Sequence, residues 1–320
     1  MNMGPTYETD ETLATQAGAQ RSEGGFSLIE LMISVAVLMI VSSSVLNGVF
    51  NLTKVSGMVS NRSEMHSGVR NATELLQQEV GQAGRVSLPD SQNPITLGAP
   101  VAAGGATVGV TSAGGMFVTE HLVIDTGANE ETVTLTGVNT GTNQVTATFA
   151  NAHAAGAHVA ARGGFASGVV PPSVANGSTG SVLKIFGDVN GNGRMVYVEY
   201  RCDTAAGNLY RQSVAFDAAA KPALTAADAL LNNIAVNPDG TPCFTYQQHA
   251  VNGTAFVVDV AITLTVRTAQ KDPITGLFQT ETKALLNVSP RNVFNVWQLA
   301  GLGISNRVQP TPASVQALLP

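Results

Sequence analysis

The chain has 320 residues, of which only 12% are charged, with 33 glycines, two cysteines and a formal net charge of −6. That length allows one large or two small folded units besides an anchor, and low charge with abundant Gly, Ala, Thr, Asn and Val suits a β-rich extracytoplasmic protein with many turns. No basic stretch and no interleaving of basic with aromatic residues occurs, which sets nucleic-acid binding aside.

Residues 1–25 carry Glu8, Asp10, Glu11 and Glu23 against Arg21 alone, and an apolar run with one charge, Glu30, extends from Phe26 to Phe50. As a helix this run is about 37 Å long, enough to cross a bilayer. A carboxylate at mid-bilayer costs roughly 2.5–3.5 kcal/mol, so Glu30 is expected to have a purpose. A secretory signal peptide would show a basic start, a shorter apolar core and a small-residue cleavage site behind it. None of these is present.

Gly24 to Leu31, GGFSLIEL, resembles the cleavage and assembly signal of type IV prepilins and pseudopilins. The resemblance implies that prepilin peptidase cuts after Gly25, leaving residues 1–25 as a leader, and that the new amino group of Phe26 is methylated. It also implies that Glu30, the fifth mature residue, pairs with the N-terminus of a neighbouring pilin. The acidic leader departs from the family's short basic one. So do Lys54, Arg62 and Arg70 after the span, since basic residues usually stay on the cytoplasmic side.

Past the span, Leu52, Val55, Val59, Met65, Val69, Ala72, Leu76, Val80 and Ala83 follow three-four spacing and draw one apolar stripe. A continuous helix over about 26–83 is expected, membrane-spanning at 26–50 and soluble at 51–85, with Gly84 as its stop and Pro89 beyond. This matches the long N-terminal helix of pilins. The expected fold is α+β, with that helix packed on a β-rich antiparallel head at 86–297.

From Arg85 onward the period changes to two. Strands are predicted at Ala106–Val110, Met116–Ile124, Thr132–Val138, Gln144–Phe149, His158–Arg162, Val182–Phe186, Met195–Cys202 and Leu209–Phe216. The stretch 104–168 reads as an inserted β-module or an extension of the main sheet. His121, His153 and His158 fall within it and read as polar loop or strand residues, because zinc needs three or four converging ligands.

Asp188, Asn190, Asn192, Gly193 and Glu199 fit the spacing D-x-[DN]-x-[DN]-G-x5-E. Alternating oxygen ligands closed by a distal Glu are the chemistry of a Ca²⁺ loop. The flanks, however, are strand-like, and Asp, Asn and Gly are also the usual residues of a hairpin turn. Both readings stand at this point. No cofactor is required by either, and Ca²⁺ is the candidate ligand.

Cys202 and Cys243 are expected to form one disulfide if the head is translocated, the alternative being two separate buried thiols. Pro222–Asn233 reads as a short helix with Thr225 as N-cap. Strands follow at Phe244–Gln248, Phe256–Thr268 and Gly276–Val288. LLNNIAV, then CFTY, then a long hairpin ending in VSPRN resemble PilW-type minor pilins and J-type minor pseudopilins. Residues 298–320, with Pro310, Pro312 and Pro320, read as a mobile tail.

No G-x-S-x-G, H-E-x-x-H or phosphate-binding glycine loop occurs, and an enzyme is not expected. The implied role is a minor pilin that helps start a type IV pilus, held in the inner membrane before joining other minor and major pilins at the cell surface. The alternatives are a minor pseudopilin of a type II secretion system and an adhesin carried on the pilus.

Overall fold

The computed structural model describes residues 25–89 and 94–320, so the expected leader lies outside it except for Gly25. The chain divides into two compact units that part between Ser56 and Gly57. Helix α1, Leu28–Gln82, has 55 residues and contributes to both units. No proline interrupts it.

The head continues with β1 (Ile95–Thr96), β2 (Gly104–Gly109), β3 (His121–Ile124), β4 (Glu131–Asn139), β5 (Gln144–Phe149) and β6 (His158–Ala161). These six make one sheet in the order β1-β6-β3-β4-β5-β2. Its own core includes Leu97, Leu122, Ile124, Leu135, Val145 and Phe149. The predicted stretch 104–168 therefore forms most of a separate sheet. Its second strand starts five residues later than expected, at His121, because Ala113 to Glu120 close turns through Met116 N–H to Ala113 O and Glu120 N–H to Phe117 O.

After β7 (Gly164–Phe165) come β8 (Val182–Gly187), β9 (Val196–Asp203), β10 (Asn208–Ala215) and β11 (Ala229–Asn232), a second antiparallel sheet ordered β11-β10-β9-β8. A third holds β12 (Ile234–Ala235), β13 (Phe244–Val251), β14 (Thr254–Arg267) and β15 (Thr280–Val288), all paired to β14. The chain finishes with α2 (Arg291–Gly301), β16 (Val308–Gln309) and α3 (Ala313–Leu318).

The stripe read from the sequence is the seam of this architecture only from Met65 onward; Leu52, Val55 and Val59 are exposed. Met65, Val69, Ala72, Leu76, Val80 and Ala83 are buried in one core with Ile185, Val198 and Leu209 of the second sheet and Phe244, Ile262 and Leu264 of the third. Gly84 ends the helix with φ +80°, a conformation costly for residues with a Cβ. Space forbids a side chain there as well: a Cβ would lie 2.8 Å from Val293 Cγ2. Its N–H reaches Phe186 O at 2.9 Å and its C=O accepts from Phe165 N–H at 2.9 Å, tying the helix end to two strands.

Two expectations fail. Pro222–Asn233 holds a three-residue 3-10 turn, Ala226–Asp228, and then β11. Thr225 does sit at the start of that turn, its N–H and hydroxyl both bonded to Asp228. Pairing of Asn232, Leu231 and Ala229 with β10 extends the segment that local helix preference would coil. The supposed tail is docked: β16 pairs in parallel with β7, and Val315 and Leu318 are buried.

Candidate assembly helix and its anchor

The motif residues stand at the exposed start of α1. Gly25, Phe26 and Glu30 are all exposed, Phe26 at 80%, and Glu30 lies in the first turn. A Cβ at Gly25 would meet nothing within 4 Å, and the residue does not have positive φ. The fold thus makes no demand for glycine at this position. A requirement there comes from outside the folded chain, as a protease subsite would impose.

From Phe26 to Phe50 the large apolar side chains are exposed all around the helix. Its most apolar 18 residues have a mean hydropathy of 2.3, and among the described residues this is the one helix long and apolar enough to cross a membrane. A helix apolar on every face is buried by something, either lipid or other helices. The first turn carries the positive end of the helix dipole, which favours a carboxylate such as Glu30.

Sequence reading missed the anchor of the soluble half. Glu79 falls on the apolar stripe beside Leu76 and Val80, and is 1% exposed. Arg211 of β10 holds it with two donors, Nε to Oε2 at 3.1 Å and Nη2 to Oε1, while the Tyr200 hydroxyl donates to Oε2 at 2.5 Å. Burial works against the charge on Arg211, but the bond and attraction of Glu79 outweigh it and raise its pKa. Burial first, then the Glu79 charge, also drive the Tyr200 hydroxyl up, so it stays a donor. The available signal was a carboxylate breaking the stripe at three-four spacing from Ala72, Leu76 and Ala83.

A disulfide joins Cys202 on β9 to Cys243 just before β13, with Cα atoms 6.4 Å apart. It links the two sheets that grip α1. Closing this loop stabilises by roughly 3–4 kcal/mol on the chain-entropy account.

The Asp188 loop is a turn closed by its own carboxylate. Asp188 accepts from Asn192 N–H at 2.9 Å, Gly193 N–H at 3.1 Å and the Ser87 hydroxyl at 2.9 Å, with Arg85 Nε at 3.6 Å. It thereby ties the segment after α1 to the β8–β9 turn. Glu199 is elsewhere. Gly187 pairs with Val196 and Lys184 with Glu199, so the extended strand carries Glu199 about 10 Å from the turn. There it accepts from Lys221 Nζ at 2.8 Å and the Tyr197 hydroxyl at 2.9 Å. Burial alone would raise its pKa, yet Lys221 and Tyr197 lower it. Asn190 and Asn192 are exposed. The donor set does not converge as a Ca²⁺ shell requires, because Glu199 sits inside the strand that begins at Val196, paired with Lys184, where a calcium loop would curl back.

His153, read as a polar loop or strand residue, forms an isolated bridge with Val101 and is buried. Its Nδ1 lies 3.2 Å from Asp125 Oδ2 and its Nε2 2.5 Å from Glu131 Oε1. Burial pulls its pKa down, but the two carboxylates prevail and raise it. The hydrogen bond from His153 is the main cause lowering Asp125. Glu131 is pushed up by burial but ends lowered by His153 and by the amides of Ala150 and Asn151. His121 and His158 take no part in this cluster.

A family model described as the prokaryotic N-terminal methylation motif matches residues 20–46. No curated protein matched the chain. No solved structure matched it either. The motif indicates a type IV pilin- or pseudopilin-like precursor, and the long apolar helix followed by an antiparallel β-rich head is consistent with that fold. The motif implies processing by a prepilin peptidase and assembly with other pilins.

Proposed function

We propose that this protein is a minor pilin, of PilW-like type, that helps initiate a type IV pilus after cleavage between Gly25 and Phe26. One observation carries the reading: half of α1 is apolar on every face, exposed throughout, and holds a lone carboxylate one turn from the cleavage junction. Burying that surface among neighbouring helices drives assembly, and Glu30 sets the axial register by pairing with a neighbour's N-terminal amine. The segment that resembles PilW-type minor pilins supplies Leu231, Ile234, Phe244 and Val288 to the core around the soluble half of α1. The test is capture of the mature protein from membranes, followed by identification of the co-purifying subunits. Other minor pilins and a pilus major subunit support the proposal, and secretion-system pseudopilins would instead make the protein a minor pseudopilin of a type II secretion system.

A second role as a pilus-carried adhesin is favoured by one feature. The six-stranded sheet has its own core, separate from the one that grips α1, and so is free to vary. Loss of surface binding on deleting residues 104–168, with pili still formed, is the outcome that reading requires.

A further inference from the structure

We infer that the β14–β15 hairpin tip is a membrane-surface contact that seats the head on an anionic phospholipid bilayer before assembly. This rests on the membrane-anchored precursor proposed above and adds a lipid-recognition site to it.

The tip lies at a defined end of the head. At the far end of α1, Asn292 of α2 donates to Gln82 O at 3.1 Å, and Ser289, just before α2, donates to Val258 O on β14 at 3.0 Å. From there β14 runs toward the N-terminal side of the packed helix, where Asn61 Nδ2 donates to Gln270 O at 3.0 Å. Asn61 is eleven residues after Phe50, the end of the apolar run, so the chain between them spans at most about 40 Å however it is arranged. The tip is tethered within reach of whatever bilayer that run crosses.

Its surface is unusual for a solvated turn. Ile274 is 70% exposed and Leu277 69%, three residues apart across a turn closed by Asp272 N–H to Leu277 O at 2.9 Å. Arg267 and Lys271 lie 4.9 and 5.7 Å from the centre of the Phe278 ring. The local acid is turned inward: Asp272 accepts from Ile274 N–H at 2.7 Å, Thr275 N–H at 3.3 Å and Gln279 Nε2 at 3.0 Å. The tip is therefore preorganised, with apolar side chains outward and two cations beside them. That is the pattern of an interfacial anchor, in which apolar groups enter the headgroup boundary and Lys and Arg meet anionic lipid. A water-facing turn gains nothing from either.

The test uses the full chain in vesicles. Both natural cysteines are bonded to each other, so Ile274→Cys supplies the free thiol for an environment-sensitive fluorophore, and Leu302→Cys, exposed just after α2, is the control. In phosphatidylglycerol-containing vesicles the label at 274 is quenched by lipids spin-labelled near the headgroup, and the label at 302 is not. In phosphatidylcholine vesicles, or on replacing Arg267 and Lys271 by Gln, quenching falls, with surface affinity lower by roughly fivefold per charge removed. The lipid comparison needs no further substitution and stands even if the double variant folds poorly. Equal quenching at both positions, or none at 274, overturns the inference. Protection of 274 that appears only when other pilin subunits are added overturns it too, in favour of a subunit contact. An uncleaved leader or failure to join pilins would sink the proposed function while leaving this readout intact.

Discussion

The two halves of α1 obey different rules within one helix. From Phe26 to Phe50 its large apolar side chains are exposed on every face; from Met65 to Val80 one stripe is buried by two sheets and the opposite face is polar. A charge occurs in each, Glu30 in the first and Glu79 in the second. Glu79 finds Arg211 and Tyr200 inside its own chain, whereas Glu30 finds no side-chain partner there among the described residues. A buried charge is tolerated when paired, and its removal strands the partner. The first half is therefore written for neighbours the chain does not contain, and the second for the head it carries.

The largest effect expected from this division is all-or-none. A bulky acid at the junction, Gly25→Glu, should block cleavage completely and leave the head unchanged, since nothing lies within 4 Å of that position. Mass spectrometry of the membrane-extracted protein should then find the leader retained, and N-terminal analysis of the wild type should find methylated Phe26. A processed Gly25→Glu chain would break the comparison at its first residue.

The two glutamates give the sharpest contrast. Glu79→Ala leaves the partly buried Arg211 charge and the buried Tyr200 hydroxyl without their partner and should cost about 3 kcal/mol of head stability, read as a lowered denaturant midpoint. Glu30→Ala should leave that midpoint unmoved and reduce incorporation into fibres, read by immunoblot of sheared pili. Equal stability loss in both variants would erase the division drawn here. Comparable in size is the bond between the two gripping sheets. Cys202→Ala with Cys243→Ala should lower stability by roughly 3–4 kcal/mol, with the unfolding of both sheets affected.

Much of this frame was legible in the sequence because it is periodic. The stripe on α1 and the alternation at Gln144–Phe149 come from side chains that face one core, so spacing alone reveals them. What stayed hidden depends on residues far apart in sequence. Ala226–Leu231 looks helical locally, and only β10 draws it into a strand. Pro310 and Pro312 suggested a loose tail. Between them and the head, however, Gln309 fixes the chain by accepting from His121 N–H at 2.9 Å and donating to His121 O at 2.8 Å. Likewise His153 gave no sign of its carboxylates, which lie 28 and 22 residues away.

That histidine makes the six-stranded sheet respond to pH in a way the α1 core should not. The raised pKa of His153 means its contribution is full below about 6.5, the unfolded value, and fades as pH rises through the higher folded one. Asp125 and Glu131 are lowered, so their contributions hold above about 4 and are lost as pH falls further. Stability of this sheet should peak between these limits and decline on the alkaline side. Hydrogen exchange at Leu122–Ile124, followed from pH 6 to 9 with correction for intrinsic rate, checks it. His153→Gln should flatten the alkaline decline, and a decline that persists in the variant would assign it to another group.

The smallest effect expected is none at all, and it concerns the Asp188 loop. Its spacing matches a calcium motif, yet backbone amides and Ser87 already occupy the Asp188 carboxylate, and Glu199 is held by Lys221 and Tyr197 on the strand. Binding an ion would require breaking both sets of bonds and bending β9 out of its register with β8 and β10. A ligand that binds only the folded state raises stability with concentration, so the melting temperature should stay flat as calcium goes from zero to about 10 mM, beyond the usual range of weak extracellular sites. Asp188→Ala should lower the melting temperature equally with and without calcium, because the residue closes the turn and links it to Ser87. A calcium-dependent rise that Asp188→Ala abolishes would show that the loop rearranges to gather its oxygens, and that the turn seen here is the metal-free state.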